Sequence, residues 1–387
     1  MNKPARFKSE VSEEISCRWE DQEMQTLCSR PFAVASLAIG ALTLSALQTQ
    51  GADFTQTNLV SDIPRLATIT DPQLVNPWGV SHSPMSPFWI SNQGKNTTTL
   101  YKVTDETTVT KVDITVAIPT TESGGPQGPT GQVNNTNTDS FPVAHDDGTD
   151  GTSARFIFAN LNGTISAWDG GPTAFVQNSG ADGTVYTGLA INLAQTRLYA
   201  ANNSLGRVDV FDSNFAALDL GPDAFRDPSL PDGLVPFNVR DIDGNVYVTY
   251  APAGRPAQTM APLGAGAVAV FDEDGNFIKE VVVGSRLAAP WGIAIAPPTF
   301  GPDNTGFGLY LLVGNFSYLH SEINAFDPDS GEFHGTIPIN TGEQQAGGLW
   351  MVDFGVGGNA GSPDVLYFTD GINGEANGLF GAIAIHF

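Results

Sequence analysis

PWGIAIA (Pro290–Ala296), LYLLVGN (Leu309–Asn315), SEINAFDPDSG (Ser321–Gly331) and EFHGTIPI (Glu332–Ile339) follow one another with Gly-, Pro- and Asn-rich turns as the only breaks. Each run is rich in β-branched, aromatic and small residues over the length of a short strand, and turn formers stop it. Four such strands within about fifty residues make the unit of a propeller blade.

The same unit recurs outward in both directions. Upstream, first strands read NPWGVSHS, GPTGQV, TGLAINL and PFNVRDI; downstream, GGLWMVDF opens a last copy. Equivalent first-strand positions are Gly79, Gly131, Gly188, Asn238, Gly292 and Gly348, at spacings of 52, 57, 50, 54 and 56 residues. The sixth copy holds only three strands before the chain ends at Phe387. DFTQTNLVS (Asp53–Ser61) is a spare strand that precedes the first copy. The expected fold is therefore all-β: a six-bladed β-propeller with four antiparallel strands per blade. The N-terminal strand closes the ring as the outermost strand of the sixth blade, which removes an exposed sheet edge.

Composition bounds the function. The chain has 17 Lys+Arg against 41 Asp+Glu, a net charge of −24. Binding a phosphate backbone needs clustered cations, so nucleic acid is excluded as a partner. Residues Pro31–Leu47 are apolar, follow Arg30, and read as the core of an export signal within residues 1–52. Met24 offers an alternative start with a more ordinary signal, since six carboxylates crowd the stretch before it. Residues 53–387 then form a single propeller domain, secreted or periplasmic, monomeric, and without stable membrane association after cleavage. Both cysteines, Cys17 and Cys28, precede the apolar run. The exported part thus has no thiol for a disulfide, a metal site or a nucleophile.

The PWGI…LYLLVGN…INAFD pattern resembles NHL-type propeller repeats. The opening NLVSDIP (Asn58–Pro64) and DPQLVNPWGV (Asp71–Val80) resembles an uncharacterised family of secreted bacterial six-bladed propellers. That resemblance implies the propeller fold and export, and implies no particular activity.

First-strand starts and second-strand ends share one face of such a disk, around the mouth of the central channel. The ligand-binding candidates there are Trp78, Trp291, Asn76, Asn92, Asn160, Asn202, Tyr250, Asn315 and Asp370. The polar ring suits a cation, water or sugar hydroxyls, and equally suits turn capping by Asn and Asp. The two tryptophans suit ligand stacking or packing between blades. DEDGN (Asp272–Asn276) begins like a calcium loop, but its twelfth position is Val283, and a hairpin turn accounts for it. HDDGTDG (His145–Gly151) is an acidic loop. None of the five histidines has the spacing that would place two on one metal, and no G-x-S-x-G elbow occurs. No catalytic or metal-ligating residue is assigned. Six-bladed calcium-dependent lactonases carry Glu, Asn and Asp around the first-strand glycines, and here only Asn76 is chemically suited. The expected function is a recognition scaffold for an extracellular glycan, protein or small ligand at the channel mouth. The alternative is a calcium-dependent hydrolase or lyase with Ca²⁺ at the Asn/Asp ring polarising a carbonyl; no other cofactor is expected.

Overall fold

A computed structural model describes residues 53–83, 85–121, 125–300 and 307–386. The export signal read in residues 1–52 and both cysteines lie outside them. Each repeat folds as one antiparallel sheet with its strands in chain order from the axis outward. Blade one comprises Pro77–Ser81, Phe88–Asn92, Thr97–Val103 and Val109–Ala117. Blades two to five begin with Pro129–Asn134, Tyr186–Ile191, Leu234–Ile242 and Pro290–Ile295. Blade six comprises Leu349–Phe354, Leu366–Asp370, Leu379–His386 and, as its fourth strand, Asp53–Ser61. The innermost strands touch in a closed cycle, one to two through six and back to one. The expected six-bladed ring and its N-terminal closure are both observed.

Closure is tied down by more than the ladder from Asp53↔His386 to Ser61↔Leu379. The buried Ser61 hydroxyl donates to Gly378 O (2.7 Å), and Asp62 accepts from Gly378 N (2.8 Å) and Asn377 Nδ2 (2.7 Å). Beyond the closing strand, Ile69–Thr70 adds a short parallel edge. Asp71, 2% exposed, then accepts from the Tyr101 hydroxyl (2.6 Å) and pairs with Lys111 (2.8 Å). A buried carboxylate requires such partners, and these fasten the entering chain to blade one.

In every blade but the fourth the second strand is buried end to end, as in Phe88–Asn92, because it lies between two other blades. This is why these strands read as unbroken apolar runs and not as alternation. The innermost strands converge, and glycine marks the closest approach. A Cβ on Gly79 would sit 2.5 Å from Thr130 O, and one on Gly131 would sit 2.2 Å from Leu189 N. A Cβ on Gly292 would meet Trp350 O at 2.3 Å and Val352 N at 3.0 Å, so its counterpart in blade six is Met351. The alignment on Gly348 is corrected by three residues. Strand pairing agrees: Leu349 faces Asp370 as Pro77 faces Asn92 and Pro290 faces Asn315. Two connections hold structure that the sequence does not announce. A hairpin pairs Pro142–Ala144 with Asp150–Ser153, and a single helical turn spans Arg255–Thr259.

Candidate functional site: an axial channel closed at one end

With the sixth blade in register, the residue before each point of closest approach is Trp78, Thr130, Thr187, Phe237, Trp291 and Trp350. The three indoles fill the axis. Trp78 and Trp350 stack with centroids 3.4 Å apart, and Trp291 meets them edge-on at 6.1 and 5.6 Å. Phe316 stacks on Trp350 at 4.4 Å, and Phe237 closes the side at 5.9 Å. All three tryptophans are at most 3% exposed. Trp291 Nε1 donates across the ring to Thr187 O (2.8 Å) and Trp350 Nε1 donates to Asn76 Oδ1 (3.0 Å). Trp78 Nε1 has no partner among the described residues. Trp350 is absent from the sequence candidates because the Gly347–Gly348 pair imitates the repeat glycine. The signal available was its place opposite Asp370.

Over this plug lies a polar layer. Asn76, held at a φ of 46°, donates to Gln93 Oε1 (2.6 Å) and Glu375 Oε1 (3.0 Å). Tyr318 donates to Glu375 Oε2 (2.9 Å), and Arg255 forms an ion pair with the same carboxylate.

The candidates at second-strand ends are buried and turn to their own surroundings. Asn92 donates to Thr99 Oγ1 (2.9 Å), Asn160 to Ser166 Oγ (3.1 Å) and Asn202 to Asp209 Oδ2 (2.7 Å). Asn315 donates to Arg286 O (2.8 Å) and accepts from Ala288 N (2.9 Å), while the Tyr250 hydroxyl donates to Phe225 O (3.4 Å). Asp370, fully buried, has no partner for either oxygen among the described residues. Burial, and then the charge of Glu375, push its carboxyl well above the usual range. The structure thus gathers Asn76, Trp78 and Trp291 at the axis with Trp350, and distributes the others among the blades.

Past the plug the channel widens into a cavity of about 420 Å³ that opens at the opposite face, with Trp291 in its wall. Two positions beyond each point of closest approach lie Ser81, Val133, Ala190, Arg240, Ala294 and Asp353, small residues except for one ion pair. The Arg240 guanidinium donates to Ile293 O (2.9 Å) and Val352 O (3.3 Å) and pairs with Asp353 Oδ1 (2.6 Å), bridging blades four, five and six. His82 Nε2 stands 3.8 Å from Asp353 Oδ2. Burial works against the Asp353 charge, but Arg240 and His82 outweigh it and hold the carboxyl well below the usual range. Gln132 is fully engaged, donating to Gly79 O (2.9 Å) and Ser91 Oγ (3.0 Å) and accepting from Ser81 Oγ (3.1 Å). At the wall, burial pushes the Asp241 carboxyl up to about 6, opposed by a hydrogen bond from Gly244 and assisted by Glu273 and Asp243. Arg240 and Asp353 were readable only as charges that interrupt apolar first strands.

Among the described residues, no three of His, Cys, Asp and Glu converge as a metal-binding set. Asp272 accepts from the backbone of Asp274 (3.0 Å) and Asn276 (2.8 Å), the hairpin turn expected of DEDGN.

No family model matches the chain. It is similar to an uncharacterized protein of Acanthamoeba polyphaga mimivirus, 28% identical over 342 residues that cover 84% of this chain and 78% of the relative. A second uncharacterized mimivirus protein is 29% identical over 295 residues, covering 73% and 74%. Among solved structures, virginiamycin B lyase from Staphylococcus aureus aligns with a TM-score of 0.46 at 11% identity, over 86% of this chain and 99% of the lyase.

Proposed function

We propose that the protein is an exported binding module that takes a small ligand into the open end of its axial channel. The observation that carries this reading is the blind cavity itself: about 420 Å³, closed by the tryptophan plug and open at one face. That volume and a mostly apolar, preformed wall with a few fixed polar groups are the usual form of a small-molecule site. Arg240, Asp353 and His82 supply the polar contacts, and Trp291 supplies an aromatic wall. The Ser81 hydroxyl is spent on Gln132 and Arg240 on Asp353, which suits holding a ligand more than moving its protons.

A melting-temperature screen against glycans and metabolites tests the reading. Hits are expected to lose their stabilisation in a folded Arg240→Met, Asp353→Asn double variant and to keep it in Glu375→Gln, at the closed end. Hits that stabilise the double variant as strongly as the parent would place binding elsewhere.

A further inference from the structure

At the closed end, three aromatic rings and a carboxylate surround a guanidinium that belongs to the chain itself. The Arg255 guanidinium carbon lies 4.2 Å from the Phe316 ring centre, 5.1 Å from Trp350 and 5.4 Å from Trp78. Its ion-pair partner, Glu375, arrives from the 371–378 connection of blade six and is fixed by Asn76 (3.0 Å) and Tyr318 (2.9 Å). Cage and occupant differ in anchorage. The rings are buried in the plug, whereas the Arg255 side chain is 37% exposed and hangs from the 251–265 connection. A second observation is independent of the rings. Asp370, wholly buried at the end of the neighbouring strand, has two oxygens without a partner among the described residues. The layer therefore pairs its one cation with Glu375 and holds beside that carboxylate a second carboxyl group whose acceptor capacity is unused among the described residues.

We propose that this cage is a guanidinium-binding site, that Arg255 occupies it in the closed state, and that a ligand bearing a guanidinium group takes its place when the 251–265 connection lifts. A guanidinium suits the site better than other cations. Its flat face stacks on aromatic rings while its edge carries several N–H donors for carboxylates. A quaternary ammonium would use the rings and bring no N–H donor to either carboxyl group. A primary ammonium would supply donors but no face. The site is separate from the open cavity on the far side of the plug and does not depend on it.

The test is a tryptophan-fluorescence titration of Arg255→Ala with millimolar methylguanidinium, using tetramethylammonium and sodium chloride as comparisons. A saturable response to methylguanidinium is expected, and it should be lost on adding Glu375→Gln. In the parent, where Arg255 competes, the apparent affinity should be weaker by about tenfold or more, because only the lifted state can bind. At saturation in the parent, amide exchange across 251–265 should quicken. Arg255→Met, which keeps the apolar cover of the side chain, carries the same titration where the alanine variant does not fold. A folded variant that responds to methylguanidinium no more than to sodium chloride overturns the proposal. So does an equal response to tetramethylammonium, or unchanged exchange across 251–265.

Discussion

Four blades end their second strand in asparagine where blade six has Asp370, and one functional group makes the difference. Asn92 and Asn160 place an amide N–H on hydroxyls of the adjoining strand, Thr99 and Ser166. The strand beside Asp370 offers Gly381 in that place. An ionised carboxylate there would be buried without a donor, so the folded state keeps its proton at pH values where the unfolded chain, near its ordinary value of about 4, has released it. The native state then binds more protons than the unfolded one, and stability falls as pH rises from about 4. Asp370→Asn removes that dependence. The melting temperature of the variant relative to the parent should climb between pH 4 and pH 7, by about 2 °C or more for each kcal/mol. A constant difference across this range would mean that the carboxyl is ionised in the native state. The residue was legible in sequence as a departure from an asparagine series. Its isolation was not, because that depends on which side chains the next strand supplies.

The closing strand is the element on which the ring depends. Without Asp53–Ser61, blade six would expose the edge of Leu379–His386, and Leu59 and Val60, both buried, would be lost from the core. A chain shortened to begin at Asp62 is expected to melt at least about 10 °C lower, since buried Leu and Val each contribute on the order of 2 kcal/mol beside the ladder. A synthetic peptide of residues 53–61 added in trans should recover part of the loss. An unchanged melting temperature would show that closure is dispensable. Elements of this kind were the most legible part of the chain. Strands buried on both faces announce themselves as apolar runs, and the count of three in the last copy identified the missing one. Register at Leu349–Phe354 was less so, because two successive glycines offered a false match. The Pro142–Ser153 hairpin was hidden by polar turn residues.

At the scale of the whole molecule, the decisive property is that the two ends of the axis differ. Large aromatic residues from blades one, four, five and six meet at one end, and aliphatic and polar residues, among them the Arg240–Asp353 ion pair, line the other. No local pattern in the sequence states which end is filled, because the filling comes from side chains more than fifty residues apart. Trp350 is the keystone, touching Trp78, Trp291, Phe237 and Phe316. Trp350→Ala is expected to cost about 3–5 kcal/mol, as large-to-small changes in packed cores do, and to leave the channel open through the disk. Denaturant unfolding measures the first effect. A loss below about 1 kcal/mol would mean that the surrounding rings collapse into the space.

The bond from Ser61 to Gly378 spans 317 residues, and it governs the order in which the molecule can come into being. The first strand of the ring to be synthesised must wait for the last before it has its antiparallel partner. Five sheets can form while the chain is still growing, but the sixth cannot, and for that interval an apolar strand edge lies open at each end of the array. Pairings of such long range are slow to form and vulnerable to association with other chains. A chain of this design therefore gains its final stability in one late step, once Leu379–His386 is free to pair with Asp53–Ser61.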